Sequence, residues 1–192
     1  VPYMMEYLIC NNGAIVVTGS IDLTGTKLPE LPRFGMRMEL HQPYENLTYY
    51  GRGPLENYID RYSSSFIGRY EDKVENQFYW YIRPQETGNK TDVRWLTLLD
   101  SEGQGVRITG LQPIAFSALH FSPEDLDPGL TRKLQHTIDI VPQKNIFLHV
   151  DLKQRGLGGD NSWGMYPHNE YRLLDKKYTY SYMIELVEKK SD

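Results

Sequence analysis

Apolar and polar residues alternate with a period of two through much of this chain. From Arg33 to His41, the residues Phe34, Met36, Met38 and Leu40 alternate with Arg33, Gly35, Arg37, Glu39 and His41, which describes a strand with one wet and one dry face. The pattern returns at Ile146, Leu148, Val150 and Leu152, interleaved with Phe147, His149, Asp151 and Lys153, and again at Tyr178, Tyr180, Tyr182, Ile184 and Leu186. Between them lie Phe78–Ile82, Arg94–Asp100, Gly105–Thr109, Ala115–Ser122 and Thr131–Ile140. Each is rich in aromatic or β-branched residues and bounded by Gly, Pro, Asp or Asn, so each is expected to be a strand. Ser122-Pro123-Glu124-Asp125 offers a cap, a proline at the first helical position and acids in the first turn, and predicts one short helical turn. Pro54 to Tyr70 has mixed periodicity, and its Gly, Pro and Ser content favours an ordered loop. The expected fold is therefore all-β, a large antiparallel sandwich around a single core, occupying residues 1–192 as one domain.

Composition narrows the partners. With 40% hydrophobic and 24% charged residues and a mean hydropathy of −0.55, the chain is that of a soluble globular protein able to bury a sizeable core. Its 21 basic and 25 acidic residues, net −4, form no basic stripe, so nucleic acid is not an expected partner. No stretch approaches the roughly 18 to 20 uninterrupted apolar residues that cross a bilayer, and no membrane partner is expected. Cys10 stands alone, which rules out an internal disulfide or thiolate cluster and leaves both cytoplasm and periplasm open. The chain opens on Val1 and not on Met, so it is expected to be an excised piece of something longer.

Two segments are too polar and glycine-rich for strands yet carry aromatics that a plain surface loop does not need: Tyr49 to Arg61 and Gly156 to Gly164. In the second, Gly156, Gly158 and Gly159 free the backbone, and Asp160, Asn161 and Ser162 can bond back to its amides. Such a loop is rigid without regular structure and projects Trp163, whose indole can stack on a sugar ring. Composition by itself favours Trp163 as a core or domain-interface aromatic. In the first segment, Glu56 and Asp60 are the candidates for a glycosidase carboxylate pair, which needs a separation of about 5 to 9.5 Å. Arg52 and Arg61 beside them point instead to a structural network, because arginine pairing keeps a carboxylate from donating a proton. The five histidines show no metal-ligand spacing, and no metal or cofactor is expected within this chain.

The run Tyr50-Gly51-Arg52-Gly53-Pro54-Leu55-Glu56-Asn57-Tyr58-Ile59-Asp60-Arg61, followed by Gly156-Leu157-Gly158-Gly159-Asp160-Asn161-Ser162-Trp163, resembles the terminal domain of the large β-galactosidases of glycoside hydrolase family 2. Leu31-Pro32-Arg33-Phe34-Gly35 and Tyr178-Thr179-Tyr180 match the same family. The resemblance covers nearly the whole chain and implies that it is the C-terminal piece of a longer one. It implies a supersandwich related in fold to the galactose mutarotases, within an enzyme that hydrolyses terminal β-D-galactosides using glutamates on a separate (β/α)₈ barrel. No catalytic residue is then expected in this chain, which is inactive alone. Trp163 occupies the position that contacts sugar in the intact enzyme, with Asp160, Asn161, Ser162, Glu56, Asn57 and Arg61 as supporting loop residues. Asn161 stands where the family often has a second Asp. The implied partners are the remaining domains of the same β-galactosidase chain and a galactoside substrate, and any divalent cation (Mg or Ca) belongs to the full-length enzyme. A stand-alone carbohydrate-binding or structural module is the alternative, and an aldose-epimerase-like enzyme, needing a titratable pair in a cleft, is a third reading.

Overall fold

The computed structural model describes residues 1–41, 43–127, 129 and 135–189. Among them are nine strands: β1 (Tyr3–Ile9), β2 (Ile15–Asp22), β3 (Arg33–Leu40), β4 (Asn46–Gly53), β5 (Phe66–Lys73), β6 (Lys90–Leu99), β7 (Gly105–Leu119), β8 (Ile146–Gln154) and β9 (Lys177–Val187). All pairings are antiparallel. The main path runs β1-β2-β9-β7-β6-β4-β5, and β8 bridges β7 to β3.

β7 explains how one hydrogen-bonded sheet encloses a core. Its first part, Gly105 to Gly110, pairs with β9, and its last part, Ala115 to Leu119, pairs with β8. The change of partner falls at Gly110–Pro113, where the sequence predicts a gap between two strands. Pro113 cannot donate to a ladder. Where the β9 ladder ends, the Gln112 side chain takes its place, donating to Ser181 O and accepting from Ser181 N, both at 3.1 Å. The chain thus continues as a single bent strand, and the β3–β8 pair folds over β9 and β2. Phe34 on β3 meets Tyr178 and Tyr180 on β9, with ring centroids 5.8 and 5.5 Å apart, and Tyr180 donates to Val150 O at 3.0 Å. The buried set between the layers includes Val17, Phe116, Ile146, Leu148, Val150 and Tyr182, the inward set of the alternating pattern.

A second, smaller buried cluster stands apart from this core: Phe78, Leu119, Phe121, Leu126 and Ile140. It covers the reverse face of β7 and β8, so the expectation of a single core is corrected to a main core and a satellite. Phe147, Ser117 and Asp151, on that reverse face, are buried, and the alternation on β8 separates two covered faces. The satellite is closed by the expected helical turn, α1 (Pro123–Leu126), whose cap Ser122 accepts from Asp125 N while the Asp125 carboxylate accepts from Ser122 N.

Other expectations are corrected. Phe78–Ile82 is irregular: Phe78 turns into the satellite against Phe121, with centroids 4.4 Å apart, and Tyr79 N donates to the Thr87 hydroxyl in place of a ladder partner. Of Thr131–Ile140, residues 131–134 lie outside the described residues, and Thr137–Asp139 is a 3₁₀ turn capped by Asp139. Tyr49–Gly53, judged too glycine-rich for a strand, is the end of β4. A Cβ at Gly51 would stand 2.6 Å from Val93 Cγ2, and one at Gly53 would stand 2.1 Å from Tyr49 Oη. Those glycines admit close neighbours and do not break the strand. Phe66–Lys73 pairs with β4, so the end of the stretch read as an ordered loop is edge strand.

Candidate functional site

The chain leaving β4 turns back under itself, and Asn57 fixes the turn. It is fully buried. Its amide donates to Arg52 O and Leu55 O, both at 3.0 Å, and its side-chain oxygen accepts from Thr91 N at 2.9 Å and Thr91 Oγ1 at 2.6 Å. Every hydrogen-bonding position of the amide is used. Glu56 is similarly engaged: Oε1 accepts from Arg61 at 2.8 Å and from the Tyr81 hydroxyl, and Oε2 accepts from Thr87 Oγ1 at 3.0 Å and Gly88 N at 2.7 Å. Arg61 lies over the Tyr58 ring, 4.6 Å from its centroid. A carboxylate with four donors on it has no oxygen left for a glycosidic bond.

Asp60 joins the two segments that the sequence singles out. Its Oδ2 accepts from Gly158 N at 2.7 Å. A Cβ on Gly156 would lie 2.7 Å from the Asp60 carboxyl carbon, so glycine is what lets the loop approach. Further along, Asn161 Oδ1 accepts from Trp163 N at 2.8 Å, an Asx turn of the kind expected. Asp160 instead takes His168 Nε2 at 2.8 Å, which raises the imidazole's pKa. Ser162 makes no hydrogen bond among the described residues. Trp163 is 91% exposed, which excludes a core role for it within the described residues. Beside the loop, Asp60, Arg61, Tyr81, Glu86 and Leu157 line a recess of about 340 Å³.

A polar network that the sequence reading missed lies behind this recess. Arg33 donates to Gln154 Oε1 at 2.6 Å, to Glu86 Oε1 at 3.3 Å and to His149 Nδ1 at 3.1 Å, and its Nε is 3.1 Å from Asp151 Oδ2. Burial, helped by the charges of Arg33 and Arg37, pulls His149 down to about 4. Burial pushes Asp151 up to about 7 against the pull of Arg33, and burial likewise raises Glu86. The signal in the sequence was His149 and Asp151 alternating with the most apolar positions of β8. Single histidines on strands are commonly inert, and that alternation looked like an ordinary solvated face.

Among the described residues, no three His, Cys, Asp or Glu side chains are grouped to hold a metal ion. No helix among them is long and apolar enough to cross a membrane.

The family model described as beta galactosidase small chain matches residues 1–184. The chain belongs to that family. Similar proteins include the beta-galactosidase of Priestia megaterium, 35% identical over 182 residues, which are 94% of this chain and 17% of that protein. The beta-galactosidase of Streptococcus thermophilus is 34% identical over 187 residues, covering 96% of this chain and 17% of its own length. That of Halalkalibacterium halodurans is 33% identical over 170 residues, covering 87% and 16%. The chain of this small-chain family member thus spans about a sixth of the length of the curated relatives it matches.

Proposed function

We propose that this chain is the terminal sandwich-like domain of a glycoside hydrolase family 2 β-galactosidase, contributing Trp163 to the wall of the sugar pocket and no catalytic group. The observation that carries this reading is an indole 91% exposed on a loop pinned to the first motif through Asp60 and Gly158. A large exposed aromatic on an ordered backbone loses little entropy when it stacks on a ligand. The catalytic glutamates, and any Mg or Ca, belong to the rest of the parent chain. That chain would hydrolyse terminal β-D-galactosides with retention by double displacement.

The same reading accounts for exposed apolar side chains elsewhere. Leu55, Phe66 and Trp80 are each more than half exposed, and they stand where the remaining domains of a parent about six times as long would cover them. Glu56, Asn57 and Arg61 support the pocket by holding the turn under Asp60.

The test compares the intact parent with its Trp163→Ala variant, and with the isolated 192-residue chain, on a chromogenic β-galactoside and on lactose. The variant is expected to show a KM raised about tenfold, the loss of roughly one good stacking contact, and the isolated chain no turnover. An unchanged KM removes Trp163 from the pocket. Turnover by the isolated chain overturns the assignment of catalysis to the missing part. Galactoside binding by the isolated chain without turnover points to the stand-alone binding module.

A further inference from the structure

Between the reverse face of β7–β8 and the segments that cover it lies a cavity of about 220 Å³, the share of liquid held by roughly seven waters. It is distinct from the recess beside Leu157 and Gly158, although Glu86 borders both. Leu119, Phe121, Leu126 and Phe147 supply apolar walls, and Arg33, Glu86, Ser117, Asp127 and His149 are among the polar ones. The Arg33 and Glu86 side chains keep 23% and 31% exposure, which leaves a way in past them.

The hydrogen bonds fix what the polar wall offers. A guanidinium only donates, so His149 Nδ1, 3.1 Å from Arg33, must be the acceptor, and the neutral ring carries its proton on Nε2. That Nε2–H has no partner among the described residues. Glu86 is a carboxylate acceptor, and Ser117, which pairs with His149 across the β7–β8 ladder, is a hydroxyl that donates or accepts. Charge then selects the ligand. Arg33 is the one cation on the wall among the described residues and is already approached by Glu86 at 3.3 Å and Asp151 at 3.1 Å, so an anion finds no spare cation among them, and the apolar walls would leave a cation poorly solvated. An uncharged molecule with hydroxyls on its edge and C–H groups on its faces meets a partner on every wall.

We propose that this cavity binds one small neutral polyol of monosaccharide size, with His149 Nε2–H donating to it, Glu86 accepting from it, and Phe147 and Leu126 packing on its C–H faces. This site does not rest on the β-galactosidase reading: it is a binding site of the domain itself.

The experiment uses the intact parent protein with D-galactose, D-glucose and glycerol as probes. Crystals are soaked in each, and binding is measured by equilibrium dialysis on the wild type, His149→Phe, which removes both ring nitrogens, and Leu126→Trp, which fills the cavity. Thermal melts check that each variant is folded. The expected result is ordered sugar in the cavity, with affinity for that site falling about tenfold or more in either variant, while galactoside kcat and KM stay at wild-type values. Two results overturn the proposal: only water in the cavity of soaked wild-type crystals, or dialysis binding unchanged in a folded variant. An empty cavity beside a raised KM for Trp163→Ala would sink this site and leave the pocket-wall reading standing.

Discussion

Replacing His149 by Phe is expected to change the pH dependence of stability more than stability itself. His149 has its pKa lowered from 6.5 to about 4 in the fold. Between those values the unfolded chain holds a proton that the folded chain does not, so the contribution of this group is complete above pH 6.5 and is lost as pH falls towards 4. Asp151 has its pKa raised from 3.8 to about 7. The folded chain holds the extra proton there, so its contribution is complete below 3.8 and is lost as pH rises towards 7. Each slope is about 1.4 kcal/mol per pH unit, with opposite sign. Across their shared window the two cancel in the wild type, around an Arg33 that touches both. Arg37 and Glu124, which bond each other at 2.8 Å, face His149 with charges of opposite sign. His149→Phe leaves the Asp151 slope alone, so relative to wild type it loses about 3 kcal/mol of stability between about pH 4.5 and about pH 6.5. Asp151→Asn leaves the His149 slope and gains by a similar amount. Urea unfolding of the 192-residue chain, followed by far-UV circular dichroism at several pH values, reads both differences free of the background from other carboxylates. Variant-minus-wild-type differences that stay flat with pH would refute the buried network as the origin.

The other expected outcomes concern the Asn57 turn, the close approach of β3 to β8, and the loop that carries Trp163. Asn57→Ala removes four side-chain hydrogen bonds in a buried site and should cost about 4 kcal/mol in urea unfolding; a cost below about 1 kcal/mol would mean that the turn holds without them. Gly35→Ala places a Cβ 1.8 Å from Asp151 Oδ1 and 2.5 Å from Asp151 Cα, so a loss of about 3 kcal/mol or more is expected on the same assay. Asp60→Ala in the intact parent frees Gly158 N and should raise KM by several-fold, less than Trp163→Ala, with a melting temperature close to wild type. An equal effect on kcat with no change in KM would instead place Asp60 in the chemistry.

The strands that could be read from sequence are those whose two faces differ. β3 and β9 carry alternating side chains because one face meets the core. β1, with nearly every residue exposed, and β5, largely exposed, carry little such contrast, while β4 alternates in burial but places Gly51 and Gly53 at buried positions, where no apolar side chain marks the inner face. Phe78–Ile82 shows the converse error: aromatic content passes for a strand where the aromatics serve a satellite cluster. At Gly110–Pro113 a turn signal was present, and what it marked was a change of partner within one strand.

The two halves of the site were legible for different reasons. The Trp163 loop announces itself because a Gly/Asx run with a tryptophan has no economical place in a sheet. Its tie to Asp60 was invisible, since a backbone N–H acceptor on a distant loop leaves no trace in composition. The Arg33–His149–Asp151 network was hidden for a deeper reason. A polar set alternating with Ile146, Leu148 and Val150 is what a solvated face looks like, and only the covering by Phe121 and Leu126 turns it into a desolvated cluster. Once it is covered, the same residues must be paired, neutral or in contact with something that bonds them. Arg33 and Asp151 meet that requirement only in part: they approach to 3.1 Å, yet Arg33 Nε and both Asp151 carboxylate oxygens are buried without a hydrogen bond among the described residues. His149 meets it by staying neutral, with its Nε2–H a donor that has no partner among the described residues.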